Sequence, residues 1–415
     1  MIRAVGRPTA FATLLSALAA ITSGPAAAAE WQFDPTIEGG ALYNDNYTLA
    51  RPRDGVIDVQ GIYADLDLGL RLESPRTTWR VAPRIRARYF PDDGEVDSND
   101  YYLSAGVTNR GQRYELGLSA DYYDEDIITA ELPGTDFGDV GLGEGGALDG
   151  GRIIVVDNRR ELLMIRPYAS FDTSERVVLT VDASLFDVSF DNQIQRAQED
   201  YQSLGAGAGL AWRFDEKSTL GLRVQYTQID PEDARGETEI LGGRLQWDYR
   251  VAERLRAYLR AGVDSSEYPI TVVLPMGVVA QSTIEETTPM YGAGAEWTLQ
   301  RSQVFLDAQR NIDANSAGAV IVRDEFRLSV RHRFTTRLTG TAAAYLVQDG
   351  SVIDLVTVSD RDYYAASAGL EWRIQRALTV GGVLDLAKQD FVGDPEDADS
   401  FGFRLFLRYQ PNRRD

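Results

Sequence analysis

The chain has 415 residues, no cysteine, one histidine and a formal net charge of −21. These values exclude a disulfide framework, a thiol nucleophile and a thiolate metal site, and the acidic balance speaks against nucleic acid as a partner. Hydrophobic residues make up 44% of the chain, but past the first few dozen residues no apolar run approaches the ~20 residues of a spanning helix.

The N-terminus reads as an export signal over residues 1–29. Arg3 and Arg7 give a positive start, Phe11 to Ile21 an apolar stretch, and Ala27-Ala28-Ala29 a small-residue cleavage site. Gly24-Pro25 breaks the stretch before it can serve as a membrane anchor. From residue 30 to 415 one pattern continues without a linker, so a single domain is expected there.

That pattern is a set of alternating strands joined by very short turns. Gly209-Leu-Ala-Trp-Arg-Phe-Asp-Glu-Lys-Ser-Thr-Leu, Leu245-Gln-Trp-Asp-Tyr-Arg-Val-Ala-Glu-Arg-Leu and Gly369-Leu-Glu-Trp-Arg-Ile-Gln-Arg-Ala-Leu each end one strand on Trp and start the next after a polar turn. Residues 64–72 set alternate leucines against Asp65, Asp67 and Arg71; residues 79–89 set Trp79, Val81 and Ile85 against Arg80, Arg84, Arg86 and Arg88. Residues 254–263 repeat this with Leu255, Leu259 and Val263 against Arg256 and Arg260. Period-2 alternation means two unlike faces, and by itself it fits a soluble sandwich as well as a membrane barrel.

Three features favour the barrel. The strands run ten to fourteen residues, where soluble strands cluster near ~5–6. Short turns (73–77, 109–112, 172–176, 215–218, 251–254, 300–303, 334–337, 374–377) alternate with long loops (44–57, 90–99, 122–158, 187–200, 228–238, 264–288, 310–323, 347–361, 388–399), the asymmetry of outer-membrane barrels. Aromatic residues, Trp79, Trp212, Trp247, Trp297 and Trp372 among them, collect beside the short turns, as at a membrane interface. The expected fold is therefore all-β, a transmembrane antiparallel up-and-down β-barrel of 18 strands with both ends at the short-turn, periplasmic side. The first strand is weakest in pattern, which leaves 16 as the alternative count. The last strand ends at Tyr409, the aromatic on which the barrel insertion machinery would act.

On this reading the lumen carries Arg71, Arg80, Arg84, Arg86, Arg88, Arg223, Arg244, Arg256, Arg260, Arg327, Arg331, Arg404 and Arg408. Facing them are fewer carboxylates: Asp65, Asp67, Glu115, Asp182, Asp248, Asp307, Glu371 and Asp385. A net positive wall is expected, with acids displaced to outer loops such as 121–150 and the cluster Asp92, Asp93, Glu95, Asp97, Asp100. Two roles stay open for the arginines: struts paired to carboxylates, or a guide for an anionic solute held in two-pronged fashion. The loop 122–158 is a candidate constriction. Its acids match no calcium-loop spacing; no metal or cofactor is expected, and the outer acids would meet lipid and lipopolysaccharide through divalent ions. His332 falls on the apolar face with no Ser or Asp partner expected on that side, so Ser–His–Asp chemistry and an enzyme are not expected.

The segment Trp31-Gln-Phe-Asp-Pro-Thr-Ile-Glu-Gly-Gly-Ala-Leu-Tyr-Asn-Asp-Asn-Tyr, with Tyr43, Asp45 and Asn46 as its motif, resembles the opening of a family of outer-membrane β-barrel porins associated with exopolysaccharide export. Ile165-Arg-Pro-Tyr-Ala-Ser-Phe and the arginine-bearing turns are similar too. The resemblance implies an exit channel in a Gram-negative outer membrane for a secreted exopolysaccharide or capsule polymer, an anionic one if the arginines guide it. It also implies a periplasmic polysaccharide export protein as partner. The alternatives are a general or solute-selective diffusion porin and a structural or adhesive barrel that presents acidic loops.

Overall fold

The computed structural model describes residues 29–131, 158–192, 198–232, 236–274, 278–316, 318–351, 361–391 and 396–412. The predicted export signal, except Ala29, lies outside them. The chain forms one 18-stranded sheet closed on itself: each strand pairs antiparallel with its sequence neighbours, and β1 (Glu30–Asn44) pairs with both β2 (Val59–Glu73) and β18 (Ala398–Tyr409). The count of 18 is the correct one, and the weakly patterned first strand is a full member.

The remaining strands, in chain order, are β3 (Thr77–Tyr89), β4 (Ser98–Arg110), β5 (Tyr114–Asp126), β6 (Arg159–Asp172), β7 (Val177–Phe190), β8 (Tyr201–Arg213), β9 (Ser218–Pro231) and β10 (Thr238–Ala252), followed by β11 (Leu255–Leu274), β12 (Val278–Thr298), β13 (Ser302–Ala314), β14 (Val320–Arg333), β15 (Leu338–Ser351), β16 (Arg361–Arg373) and β17 (Leu378–Phe391). Short turns fall where the sequence places them. Several are built by a small polar side chain taking up backbone amides: Ser74 Oγ accepts from Thr77 N at 3.0 Å, Asp215 Oδ1 from Lys217 N and Ser218 N at 2.7 and 2.8 Å, and Thr335 Oγ1 from Leu338 N at 2.9 Å. The basic residue of the turn has a separate task. Its carbonyl accepts the amide that ends the next hairpin along, as in Arg110 N to Arg76 O (2.7 Å), Arg213 N to Arg176 O (2.8 Å), Arg333 N to Arg301 O (2.7 Å) and Arg373 N to Arg337 O (2.8 Å). Adjacent turns are thereby laced into a rim.

On the long-loop side the strands run further than the alternation implied. Residues 264–274 and 278–288, expected as loop, are strand: β11 and β12 pair from Leu255–Trp297 up to Leu274–Val278, favoured by β-branched runs such as Ile270-Thr-Val-Val. Residues 122–126, 310–314, 320–323 and 347–351 are likewise strand.

Along every strand alternate side chains point out. Trp212, Trp247, Trp297 and Trp372 are exposed on the outer face near the short turns, joined by Trp31, and Trp79 sits half-buried at the same level. A second outward belt, Tyr43, Tyr89, Tyr101, Tyr226 and Tyr291, marks the other end, with leucine and valine between. An apolar band between two aromatic belts is the surface that a bilayer requires.

The Tyr43–Asn46 segment stands at the barrel's closing seam. Tyr43 faces outward; Asp45 accepts from Phe401 N at 2.7 Å while its own amide donates to Phe401 O at 3.1 Å. Buried Asn46 donates through Nδ2 to Ala50 O and Asp399 O, both at 2.8 Å, and accepts from Ala50 N at 2.9 Å. These residues pin the first loop to β18. Replacing Asn46 by Ala removes all three bonds and should lower stability by about 1–3 kcal/mol, read as a shift in the urea midpoint of unfolding from vesicles, with Asn46→Asp intermediate.

Candidate lumen site

The outer half of the lumen is filled. Inward-facing Val188, Phe190, Tyr201, Ile229, Ile240, Tyr363 and Ala365 are buried, and so are Ile127, Ile128 and Ala130 of the one α-helix among the described residues, α1 (Ile127–Glu131). α1 follows β5 yet lines a small space of about 100 Å³ with Leu42, Ala387 and Tyr363, from strands four, six and seven places round the barrel. The chain after β5 therefore turns across the lumen. Its anchor is Asp100, fully buried: Oδ1 accepts Asp126 N at 2.8 Å, Oδ2 accepts Thr129 Oγ1 at 3.4 Å, and Arg88 lies 3.5 Å away. Arg88 also donates to Thr129 Oγ1 at 2.6 Å and to Tyr47 Oη at 3.3 Å. Burial pushes the Tyr47 phenol above its ordinary pKa against the opposing pull of Arg88. Asp100 is thus an internal strut and not part of a solvated acidic surface; Asp97 likewise takes up Phe90 N at 2.6 Å. Of the loop 122–158 expected as a constriction, residues 132–157 lie outside the described residues.

Below α1 a cavity of about 540 Å³ opens in the short-turn half, lined by Arg84, Arg86, Arg88, Arg331, Arg404 and Arg408 together with Asp34, Glu38, Asp65 and Asp67. A neighbouring space of about 210 Å³ shares Glu38, Arg331, Arg404 and Arg408 with it. Charge alternates across this chamber. Asp65 accepts from Arg84 Nε and Nη2 at 2.9 and 2.7 Å and from Arg86 Nε at 3.0 Å. Glu38 accepts from Tyr63 Oη at 2.7 Å and Arg408 Nε at 2.6 Å; Arg408 then reaches Glu371 at 2.9 Å, with Arg331 at 3.5 Å from the same carboxylate. Arg331 and Arg408 each span an intervening strand because the inward residues there are small, Thr341 on β15 and Gly381 on β17.

The opposite wall repeats the device. The Gly205, Gly207, Gly209 face of β8 lets Arg223 cross it to grip Asp182 with two bonds of 2.7 and 2.6 Å; a Cβ on Gly207 would stand 2.5 Å from the guanidinium. Arg244 meets Asp264 at 2.9 Å, Arg260 meets Gln309 at 3.1 Å, and buried Asp349 receives Arg323 at 2.6 Å and Arg361 at 3.0 Å. Inward glycines also seat aromatic rings flat on the wall: Gly117 under Tyr168, Gly294 under Tyr258 and Gly381 under Phe406.

All the arginines expected on the lumen face it. Arg71 pairs with Glu73, Arg327 with Glu325 at 3.1 Å, and Arg404 stands 4.0 Å from Asp385. Arg80 and Arg256, near the short-turn mouth, make no ion pair among the described residues. The expected excess of positive charge is corrected. Glu38, Asp100, Asp121, Glu125, Asp264, Glu325 and Asp349 also face inward, most of them paired, as do Arg160, Arg323 and Arg361. Most of these residues stand near strand ends that the alternation had left short. His332 is corrected too: Ser302, its cross-strand neighbour on the outer face, meets Nδ1 at 2.8 Å. That pair packs beside Phe334 on the outward face at the short-turn rim, and no carboxylate hydrogen-bonds the ring among the described residues.

No family model and no curated protein matches the chain. Among solved structures it is similar to a BenF-like porin from Pseudomonas fluorescens Pf-5 (8% identity, 92% of this chain and 98% of that one, TM-score 0.49). It is also similar to Pseudomonas aeruginosa OccK2 (OpdF), solved in complex with glucuronate (12% identity, 92% and 98%, TM-score 0.45), and to the ferric-catecholate import receptor Fiu of E. coli K12 (10%, 91% and 81%, TM-score 0.44). The likeness is one of architecture alone.

The Asp100 anchor makes a prediction. Asp100→Ala leaves Arg88 buried without its carboxylate and frees Asp126 N, at a cost on the order of 3 kcal/mol. α1 should detach, and single-channel conductance in planar bilayers should rise with increased open-state noise, while β-sheet content by circular dichroism stays unchanged.

Proposed function

We propose that the protein is a solute-selective diffusion channel of the outer membrane, for small anions and not for a polymer. The observation that carries this reading is the chamber of about 540 Å³ lined by six arginines beneath a packed outer half. It has the volume of a small-molecule site. A polysaccharide exit needs a continuous wide bore, and the fill of α1 and the inward core speaks against one. No observation on the described residues favours the export role or a periplasmic export partner.

The chemistry follows from alternating charge. An arginine shared among carboxylates is held in place, so a passing carboxylate or phosphate meets a fixed guanidinium plane. The same carboxylates keep the affinity low enough for release. Asp65 is the fulcrum, because it orients both Arg84 and Arg86.

The test is ion selectivity of the purified barrel in planar bilayers under a salt gradient. Arg84→Ala with Arg86→Ala should lower the anion-to-cation permeability ratio by about threefold, and Asp65→Asn should raise it. Equal ratios in all three proteins would reduce these residues to wall struts, and absence of any conductance would remove the channel reading.

A further inference from the structure

Two ladders skip a pair of positions at a proline and resume, β2–β3 at Pro83 and β6–β7 at Pro167; at one join the ladder stops short and does not resume. β12 and β13 pair only over Gly292–Thr298 with Gln303–Gln309, although β12 stays paired to β11 as far as Val278 and β13 to β14 as far as Ala314. At the other joins the ladder reaches within two residues of the long-loop end of one strand or the other. The cause is legible in β12. Pro289, three residues past the last pair, has no amide proton to give, and the ladder to β11 runs through it unbroken.

The gap passes through the wall. One small space is lined both by inward Arg244, Arg260 and Gln309 and by outward Tyr291 and Arg310. Its volume of about 10 Å³ holds roughly one water molecule. Outside, a clasp covers it: Arg310 Nε donates to Asp324 Oδ1 at 2.8 Å, Tyr291 Oη donates to the same oxygen at 3.2 Å, and the guanidinium lies 5.0 Å over the Tyr291 ring. Inside, Arg244 Nε is buried without a hydrogen-bond partner. Tyr291 belongs to the outer tyrosine belt, so the gap opens at the level of lipid headgroups, where the free edge of β13 meets polar groups rather than hydrocarbon.

We propose that the join between β12 and β13 is a lateral portal, closed in this structure, that accepts the anionic head of an amphiphile, a phosphate or carboxylate on an alkyl chain. The head exchanges Asp324 for itself on Arg310 and then meets Arg260 and Arg244. The tail stays on the outward apolar strip of Leu259 and Leu306, both exposed. This portal stands on the wall and not on the chamber, and it holds whether or not the chamber conducts.

The chain has no cysteine, which permits a clean lock. Met290→Cys with Asn311→Cys bridges the gap; Thr298→Cys with Gln303→Cys, away from the portal, bridges paired ladder as control. Full-length protein in nanodiscs is titrated with radiolabelled dodecyl phosphate from solution, and separately prepared with labelled phosphatidic acid in the bilayer. Binding in the first arm alone assigns a soluble amphiphile, and in the second alone a membrane lipid. The oxidised lock should bind about tenfold more weakly and recover on reduction, with the oxidised control like wild type. Asp324→Asn, which frees Arg310 without changing shape, should bind several-fold tighter. Binding that survives the lock, ignores Asp324→Asn, or is absent in both arms overturns the portal.

Discussion

In hydrocarbon a backbone amide has no water to turn to, so a sheet that enters a membrane must satisfy every amide within itself. Closure between β1 and β18 meets that demand here. Much else in the architecture follows from it. A closed antiparallel sheet has only two faces, and period-2 alternation assigns one to lipid and the other to an enclosed interior. The interior then becomes the only refuge for charge, and within it each charge must find an opposite. Side chains at the seam (Asp45, Asn46) and carbonyls at the rim (Arg76, Arg176, Arg301, Arg337) extend the same satisfaction to the places where strand pairing stops.

The interior solves its charge problem by reach. Arginine is long enough to cross a strand whose inward residue is glycine or threonine, and Arg223, Arg331 and Arg408 do so. The resulting lattice stiffens the wall and holds guanidinium planes at fixed positions around the chamber. On the proposed function struts and guides would be one device, since the carboxylate that anchors an arginine also sets the plane of its guanidinium.

Much of this was legible in the sequence. Turn positions, strand count and the facing of each arginine follow from alternation and from Ser, Thr and Asp at the turns, because those signals are local. The long-loop side was not legible to the same degree. Polar residues at strand ends resemble loop, so alternation alone places Asp100, Glu125, Asp264 and Asp349 in the outer loops and gives a net positive wall. Ser302 and His332 meet across a ladder whose register is set by a turn, and spacing along the chain does not show it. The filled outer half depends on α1 crossing to the far wall, a tertiary event that five residues of helix do not announce.

Rings laid over glycine have a consequence for the width of the passage. Tyr168, Tyr258 and Phe406 lie against the wall because Gly117, Gly294 and Gly381 leave their faces bare. A single methyl at any of these glycines would lift the ring off the wall and into the bore while the sheet kept its strands and its register. The calibre of this barrel is therefore adjustable one glycine at a time, independently of how many strands enclose it.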